Sequence, residues 1–213
     1  MSPTQMNAAH PPLILALTGR PDVGKDTVGQ ILCHQFGFAS VAFADALRLE
    51  VTEAWRIDAR LLTWRPTKET PVRALATGMC GDRAFIGWTL SQGICLLEPR
   101  SPRWTMQRWA DYKRRFNPAY YATRVDEWID QRVGCDRMVV TDLRDDVEEA
   151  TLRIKGARVV RIHRLQSAAL PNDTATHVSE QHHLIKADHD IINDGCLHAL
   201  SESVAELVQD LTC

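Results

Sequence analysis

The stretch that decides the fold reads GRPDVGKDT and runs from Gly19 to Thr27. It follows the apolar run LILAL at residues 13–17 and precedes apolar residues at helical spacing. Its GxxxxGK spacing is that of a phosphate-binding loop. The backbone N–H groups of such a loop form a nest for an anion, and the next helix directs the positive end of its dipole to the same point. We therefore expect a strand, an anion-binding loop and a helix, with Lys25 reaching the outer phosphates.

The residue after the lysine departs from the usual pattern. Loops of this type have Ser or Thr there, whose hydroxyl binds Mg²⁺, whereas this chain has Asp26, with Thr27 one place later. Asp26 either contacts Mg²⁺ or caps the helix. A chance pair of glycines before a helix is the alternative, and the strand before the loop and the amphipathic helix after it disfavour that alternative.

The size and composition of the chain fit one soluble globular domain. It has 213 residues, of which 45% are hydrophobic and 24% charged. The net charge of −2 argues against a nucleic-acid partner, and no apolar run approaches the roughly 18 residues of a membrane span. Residues 1–12 lack the features of a secretory signal, and we expect a disordered leader there. The six cysteines form no CxxC pair and are expected to be free thiols.

Apolar periodicity predicts about five strands that alternate with helices. This order favours a doubly wound parallel sheet with the phosphate loop on a central strand and the ligand at the carboxyl ends of the strands. Helices are expected after the loop, from Leu47, over 104–115, from Tyr121 to near Gly134, from Val147 and over 197–211. The strands are expected at 13–17, 41–45, 138–140, 157–162 and 189–192.

The segment 58–103 is rich in Pro and Gly and has poor periodicity. We expect loops and short helices there, as an insertion over one edge of the sheet. Trp64, Phe85 and Trp88 could line a pocket in this insertion, although local core is the more frequent role of such aromatic residues.

Asp142 directly follows the apolar run at 138–140 and Thr141, and Arg144 stands two residues later. In proteins with a phosphate-binding loop, a buried strand that ends in Asp holds the Mg²⁺ shell beside the loop. A guanidinium at the same strand end suits a bound phosphate. The alternative is a helix N-cap Asp followed by an exposed Arg, and the loop upstream favours the first interpretation.

Two further polar segments are candidates for substrate contacts. Gln107, Asp111 and Arg114 share one face of a predicted helix, which is either solvated surface or the wall of a polar pocket. Arg161 and Arg164 flank the end of a predicted strand, before a polar segment from Gln166 to Ser179. Such a segment is typical of a lid that excludes water from a triphosphate.

Taken together, the motifs resemble those of the deoxynucleoside monophosphate kinases of phages and bacteria. The resemblance runs from Leu13 to Leu207 and leaves out the irregular middle. Val147 and Asp145 depart from the Asn and Phe that are usual in the family. The motifs that carry it are GKDT at 24–27, FADALR at 43–48, SPR at 101–103 with Gln107 and Trp109, TDLR at 141–144 with Glu148, HVSE at 177–180 and NDG at 193–195.

The resemblance implies an α/β fold of the P-loop NTPase class, nucleoside monophosphate kinase-like, with a five-stranded parallel sheet flanked by helices. It implies one kinase domain over 13–213, with an acceptor-binding insertion at about 46–120 and a lid at about 163–182. The activity implied is transfer of the γ-phosphoryl group of ATP, with Mg²⁺, to a deoxynucleoside monophosphate, in the cytoplasm of a bacterium or a phage-infected host. The sequence leaves the accepted base undetermined, and it leaves open whether the chain forms a homodimer.

The resemblance also implies the residues of the site. The catalytic residues would be Lys25, Arg144 and Arg164. The metal ligands would be Asp26 and Asp142. ATP would contact Gly19, Asp22, Val23, Gly24, Lys25, Asp26, Thr27, Arg161 and Asn193. The acceptor would contact Asp45, Arg48, Arg103, Gln107, Asp111 and Arg144.

Two other functions stay open at this point. One is another small-molecule kinase on the same scaffold, such as a dephospho-coenzyme A or phosphomevalonate kinase. The other is a switch that binds ATP without phosphorylating anything. Arg48 and Arg103 speak against a switch, because a switch has no second phosphate to bind.

Overall fold

The computed structural model describes residues 11–164 and 185–212, which form two compact units. The first unit comprises the described residues up to Ala42 and from Val125 onward, and the second is Phe43–Arg124. The strands are β1 Leu13–Thr18, β2 Ala39–Val41, β3 Arg137–Val140, β4 Arg158–His163 and β5 His189–Ile192. The helices are α1 Lys25–Phe36, α2 Phe43–Trp55, α3 Arg60–Thr63, α4 Arg83–Ser91, α5 Pro102–Arg114, α6 Tyr120–Asp130, α7 Asp146–Ile154 and α8 Leu197–Thr212, with short 3₁₀ helices at Arg65–Thr67, Arg73–Leu75 and Thr77–Met79.

The first unit is built on a five-stranded sheet in the order β2-β3-β1-β4-β5, with every neighbouring pair parallel. The central strand β1 is buried from Ile14 to Thr18. Its near-continuous apolar sequence is typical of a parallel strand covered on both faces. The predicted parallel sheet with the loop on a central strand is therefore confirmed.

Helices α1 and α8 pack together with the sheet. Helix α1 ends at Gly37, whose left-handed backbone (φ +71°) lets its N–H group bond to the carbonyl of Leu32. The core of this unit combines apolar residues of the two helices with those of four strands. Its buried members are Leu15, Leu17, Val23, Val28, Ile31, Leu32, Phe38, Val139, Val160, Ile162, Ile191, Leu200, Val204, Leu207 and Val208.

The second unit has an aromatic core of its own. Phe85 is fully buried and lies 5.4 Å from Trp55 and 5.1 Å from Trp109, measured between ring centroids. Edge-to-face and tilted pairs of this kind are worth about 0.5–1.5 kcal/mol each beyond the area they bury. Trp88 is half-buried against this cluster, whereas Trp64 is 62% exposed. Local core is therefore the role of Phe85 and Trp88.

The structure corrects one predicted boundary at a candidate site residue. The sequence pattern predicts a strand that runs to Asp45, but β2 ends at Val41 and α2 begins at Phe43. Asp45 accordingly lies in the first turn of α2. A carboxylate is stabilised there by the positive end of the helix dipole, which favours a helix over a longer strand at this residue.

The predicted leader falls on residues 1–12, of which the first ten lie outside the described residues, as does most of the predicted lid. In the described part of the chain, no helix has both the length and the apolar character that a membrane crossing requires.

Candidate phosphate-binding site

The loop between β1 and α1 has the backbone of an anion nest. Gly19, Asp22 and Gly24 all have positive φ angles, of +134°, +61° and +104°. Where residues with positive φ alternate with residues of ordinary backbone conformation, successive N–H groups point toward one position. Gly24 caps α1 without a side chain that could bind the first N–H groups of the helix. These groups therefore face the same point as the loop, together with the positive end of the helix dipole.

Both loop glycines also lack room for a side chain. A Cβ atom at Gly19 would lie 2.5 Å from the carbonyl oxygen of Ile162, and one at Gly24 would lie 2.4 Å from Nδ2 of Asn193. The loop is thus packed against the ends of β4 and β5. Its shape is set by these neighbours as well as by its own backbone.

Lys25 reaches back over the loop. Its Nζ donates hydrogen bonds of 2.7 Å to the carbonyls of Gly19 and Arg20. The pKa of this lysine is lowered to about 8, mainly by burial and secondly by the nearby guanidinium of Arg144. The carboxylates of Asp26, Asp142 and Asp22 act in the opposite direction and raise the same pKa. One guanidinium and three carboxylates therefore lie near the lysine.

The segment after β3 is fixed along the end of β1. The N–H group of Leu143 donates to the carbonyl of Leu17 at 3.1 Å, and the buried hydroxyl of Thr18 donates to the carbonyl of Leu143 at 3.0 Å. Leu143 is fully buried, which leaves half-buried Asp142 and exposed Arg144 on either side of it. The helix that follows is capped by Asp145, so the alternative of Asp142 as its N-cap is wrong.

Asp26 and Asp142 are the residues of this site that could hold a metal ion. Both act on the pKa of Lys25, so both lie in its neighbourhood. Their hard oxygen atoms suit Mg²⁺, which needs only one or two protein carboxylates when it binds together with phosphates. Among the described residues, no group of three or more His, Cys, Asp or Glu side chains forms a preformed metal site.

Two other predicted ATP contacts are Arg161 on β4 and Asn193 directly after β5, and the predicted catalytic Arg164 directly follows β4. The side chain of Asn193 donates to the carbonyl of Val23 at 2.8 Å, so the structure places it on the loop itself. Arg161 donates from its guanidinium to the carbonyl of Ile185. Arg164 is exposed, and it is the last described residue before the segment 165–184.

The residues predicted to bind the acceptor lie on α2 and α5 of the second unit. Arg48 forms an ion pair of 2.8 Å with Asp45, one turn away on α2. Arg103, near the start of α5, forms an ion pair with Glu69.

Farther along α5, Asp111 lies 3.6 Å from Arg108. The predicted polar face of Gln107, Asp111 and Arg114 is half-buried along its length. It is therefore not fully solvated surface.

Sequence reasoning missed Glu50. Its carboxylate accepts hydrogen bonds from Trp109 Nε1 at 2.8 Å, from the Tyr120 hydroxyl at 2.7 Å and from the Tyr121 hydroxyl at 3.2 Å. Burial, followed by the charge of Glu50, raises the pKa of Tyr121. Its position in the sequence could have indicated this role, because Glu50 is an acid on the apolar face of α2, which it shares with Leu47.

No protein-family model matches the chain, and no curated protein matches it significantly. Among solved structures, TT1252 from Thermus thermophilus is similar with a TM-score of 0.51 and 16% identity, over 96% of this chain and 100% of that one. The fold is that of an α/β P-loop NTPase. A dephospho-CoA kinase from Campylobacter jejuni has a TM-score of 0.48 at 15% identity, over 93% of this chain and 96% of that one. At such identities the likeness concerns the fold alone.

Proposed function

We propose that this P-loop NTPase is a kinase that transfers the γ-phosphoryl group of ATP to the 5′-phosphate of a deoxynucleoside monophosphate. The observation that carries the proposal is that the anion nest of the loop has two cations near it, Lys25 and Arg144. The pKa of Lys25 is lowered mainly by burial and secondly by repulsion from the Arg144 guanidinium. Within the described residues, the Arg144 guanidinium has no carboxylate partner. A bound polyphosphate would relieve this repulsion.

The proposed mechanism relies on positioning and charge stabilisation. The acceptor phosphate already carries an ionised oxygen, so the transfer needs no strong general base. This oxygen forms the new P–O bond as the bond between the γ-phosphorus and the β-phosphate oxygen breaks, and ADP leaves. The loop N–H groups and Lys25 hold the β- and γ-phosphates, while Arg144 stabilises the transferring group. Mg²⁺, held by Asp142 or Asp26, would neutralise part of the phosphate charge.

The acceptor side of the proposal rests on the second unit and on the resemblance of FADALR and SPR to the kinase family. Arg48 and Arg103 each hold a carboxylate already, so their guanidinium groups are placed to receive an anion. The phosphate of the acceptor would replace such a carboxylate. Asp45, Gln107 and Asp111 would orient the rest of the acceptor.

We assign acceptor binding to an insertion at about 46–120 and closure over ATP to a lid at about 163–182. In the closed state, Arg164 or Arg161 would contact the transferring phosphoryl group. An arginine in that role typically contributes on the order of 10³-fold or more to the rate.

The test is a coupled assay of ADP release with dGMP, dTMP, dCMP and dAMP, each beside its ribonucleotide. We expect ADP release that depends on at least one deoxynucleotide. Lys25→Ala and Arg144→Ala should each lower kcat/KM on the order of 10³-fold. Lys155→Ala is the matched control, because Lys155 pairs with Asp126 and Asp130 on the surface.

The same assay separates the rival functions. Turnover with dephospho-coenzyme A or phosphomevalonate, and with no deoxynucleotide, would replace the proposed acceptor. Tight ATP binding without ADP release from any acceptor would identify a switch and contradict the kinase proposal.

A further inference from the structure

Glu148 is a deeply buried acid next to the proposed phosphate site. Its side chain is 3% exposed, and its Oε2 accepts a hydrogen bond of 2.9 Å from the backbone N–H group of Arg144. A buried carboxylate is costly unless hydrogen bonds compensate for the lost water. The hydrogen bond from Arg144 supplies part of this compensation.

The bond departs from the usual capping box. In that motif the Glu at the third helical position bonds to the N–H group of the N-cap residue itself. Here the N-cap is Asp145, whose carboxylate accepts from the N–H group of Glu148 at 2.9 Å. The carboxylate of Glu148 reaches one residue further back, to Arg144. The bond is therefore made to the residue that carries the exposed guanidinium.

The peptide unit that precedes the Cα of Arg144 is fixed through both of its polar groups. The preceding residue, Leu143, is bonded to Leu17 through its N–H group and to the Thr18 hydroxyl through its carbonyl. The N–H group of Arg144 is bonded to Glu148. The guanidinium of Arg144 then extends from a fixed Cα toward the surroundings of Lys25, where its charge lowers the lysine pKa.

We propose that Glu148 is a positioning residue that holds Arg144 for contact with the γ-phosphate of ATP. The inference rests on the proposed function, because it assumes that this site binds ATP. A preorganised arginine loses less side-chain and backbone freedom when it meets the phosphate. Loss of the Glu148 bond should therefore weaken ATP binding relative to ADP binding, since ADP lacks the γ-phosphate.

The experiment measures dissociation constants for ADP and for a β,γ-imido analogue of ATP, by titration calorimetry on the full chain with Mg²⁺. The variants are Glu148→Ala, Glu148→Gln, Arg144→Ala and the double variant of Glu148→Ala with Arg144→Ala. Glu149→Ala is the control, because Glu149 is the next residue on α7 and pairs with Arg153 instead. Circular dichroism checks that each variant is folded, and Glu148→Asp, whose carboxylate is too short for the bond, replaces Glu148→Ala if that variant is unfolded.

We expect Arg144→Ala to reduce the preference for the ATP analogue over ADP by about 10- to 100-fold, the range of one or two charged hydrogen bonds. Glu148→Ala should reduce it about 3- to 10-fold with ADP affinity unchanged, since the arginine remains but is less well placed. Glu148→Gln should restore the preference, because its amide oxygen accepts the same bond. In the Arg144→Ala background, Glu148→Ala should have no further effect.

Several results would overturn the inference. An equal loss of ATP-analogue and ADP affinity in Glu148→Ala would mean a general structural role. The same loss of preference in the presence and absence of the Arg144 side chain would mean that Glu148 does not act through Arg144. Unchanged preference in the Glu148 variants, with a clear loss in Arg144→Ala, would remove this inference and leave the proposed function intact. Absence of nucleotide binding by the unmodified chain would remove both.

Discussion

The side-chain amide of Asn193 donates a hydrogen bond of 2.8 Å to the backbone carbonyl of Val23, across 170 residues of sequence. The backbone N–H group of Asn193 in turn donates to the carbonyl of His163 at 2.8 Å. One residue thus ties the phosphate-binding loop to the carboxyl ends of β4 and β5. The shape of the anion nest therefore depends on a contact that the loop's own sequence does not contain.

We expect Asn193→Ala to lower the affinity for ATP about tenfold, which corresponds to one net hydrogen bond that no longer holds the loop. Asn193→Asp should lower it further, because a carboxylate cannot donate to Val23 and adds negative charge beside the nest. Titration calorimetry with the β,γ-imido analogue measures both effects. Gln30→Ala, at an exposed position on α1, is the control. Affinities within about twofold of the unmodified chain for both Asn193 variants would contradict a role of this residue in the loop.

Gly24→Ala should abolish measurable nucleotide binding. The left-handed backbone at Gly24 disfavours any side chain, and a Cβ atom would lie 2.4 Å from Nδ2 of Asn193. Gly37→Ala is a matched control, because Gly37 also has a positive φ angle but leaves open space, with nothing within 4 Å of the position that a Cβ atom would take. That variant should cost about 1 kcal/mol of unfolding free energy and leave binding unchanged. Strong binding by Gly24→Ala would contradict the assignment of the loop.

The loop, the sheet and the long helices could be predicted because local patterns determine them. The apolar residues of β1 and the glycine spacing after it carry their signal within a dozen residues. Two relationships at the site could not be read in this way. Asn193 meets Val23 only after the sheet has formed, and the place of Asp45 depends on a helix that begins at Phe43 rather than at Leu47. Contacts between distant segments leave no periodic trace in a single sequence.

Glu50 should stabilise the second unit more than an exposed glutamate on the same helix does. Glu50→Ala leaves the indole N–H group of Trp109 and the hydroxyls of Tyr120 and Tyr121 without their acceptor. We expect the free energy of unfolding to fall by about 2–4 kcal/mol, since Trp109 and Tyr121 are buried and each buried donor without a partner costs on the order of 1–3 kcal/mol. Urea titration followed by tryptophan fluorescence on the full chain measures this loss.

The control for that measurement is Glu53→Ala, one turn later on α2 and exposed to solvent. Its effect should stay within about 0.5 kcal/mol, as for most surface substitutions. Glu50→Gln should lie between the two variants, because its amide keeps one acceptor oxygen. Equal losses for Glu50→Ala and Glu53→Ala would show that the three hydrogen bonds add nothing to stability.

The affinity for ATP should fall as pH rises, because Lys25 binds the phosphates in its protonated form. The pKa of Lys25 is about 8 in the loop without nucleotide, lowered from 10.5 mainly by burial. Below pH 8 the lysine is already charged, and above it ATP binding must be accompanied by proton uptake. Linkage then predicts an affinity loss of about tenfold between about pH 7 and pH 9. Folding shows the opposite trend, since stability should rise between pH 8 and 10.5, where the unfolded chain binds the extra proton.

Two variants test the electrostatic cause of this profile. Arg144→Ala removes a charge that lowers the lysine pKa, so the fall in affinity should move to higher pH, although the affinity itself is weaker throughout. Asp142→Asn removes a charge that raises the pKa, so the fall should move to lower pH. Lys155→Ala should leave the profile where it is. If the affinity of the unmodified chain for ATP does not change up to about pH 9.5, the charge of the lysine is not what binds the phosphates. If Arg144→Ala and Asp142→Asn shift the profile in the same direction, the two residues do not act on the lysine through opposite charges.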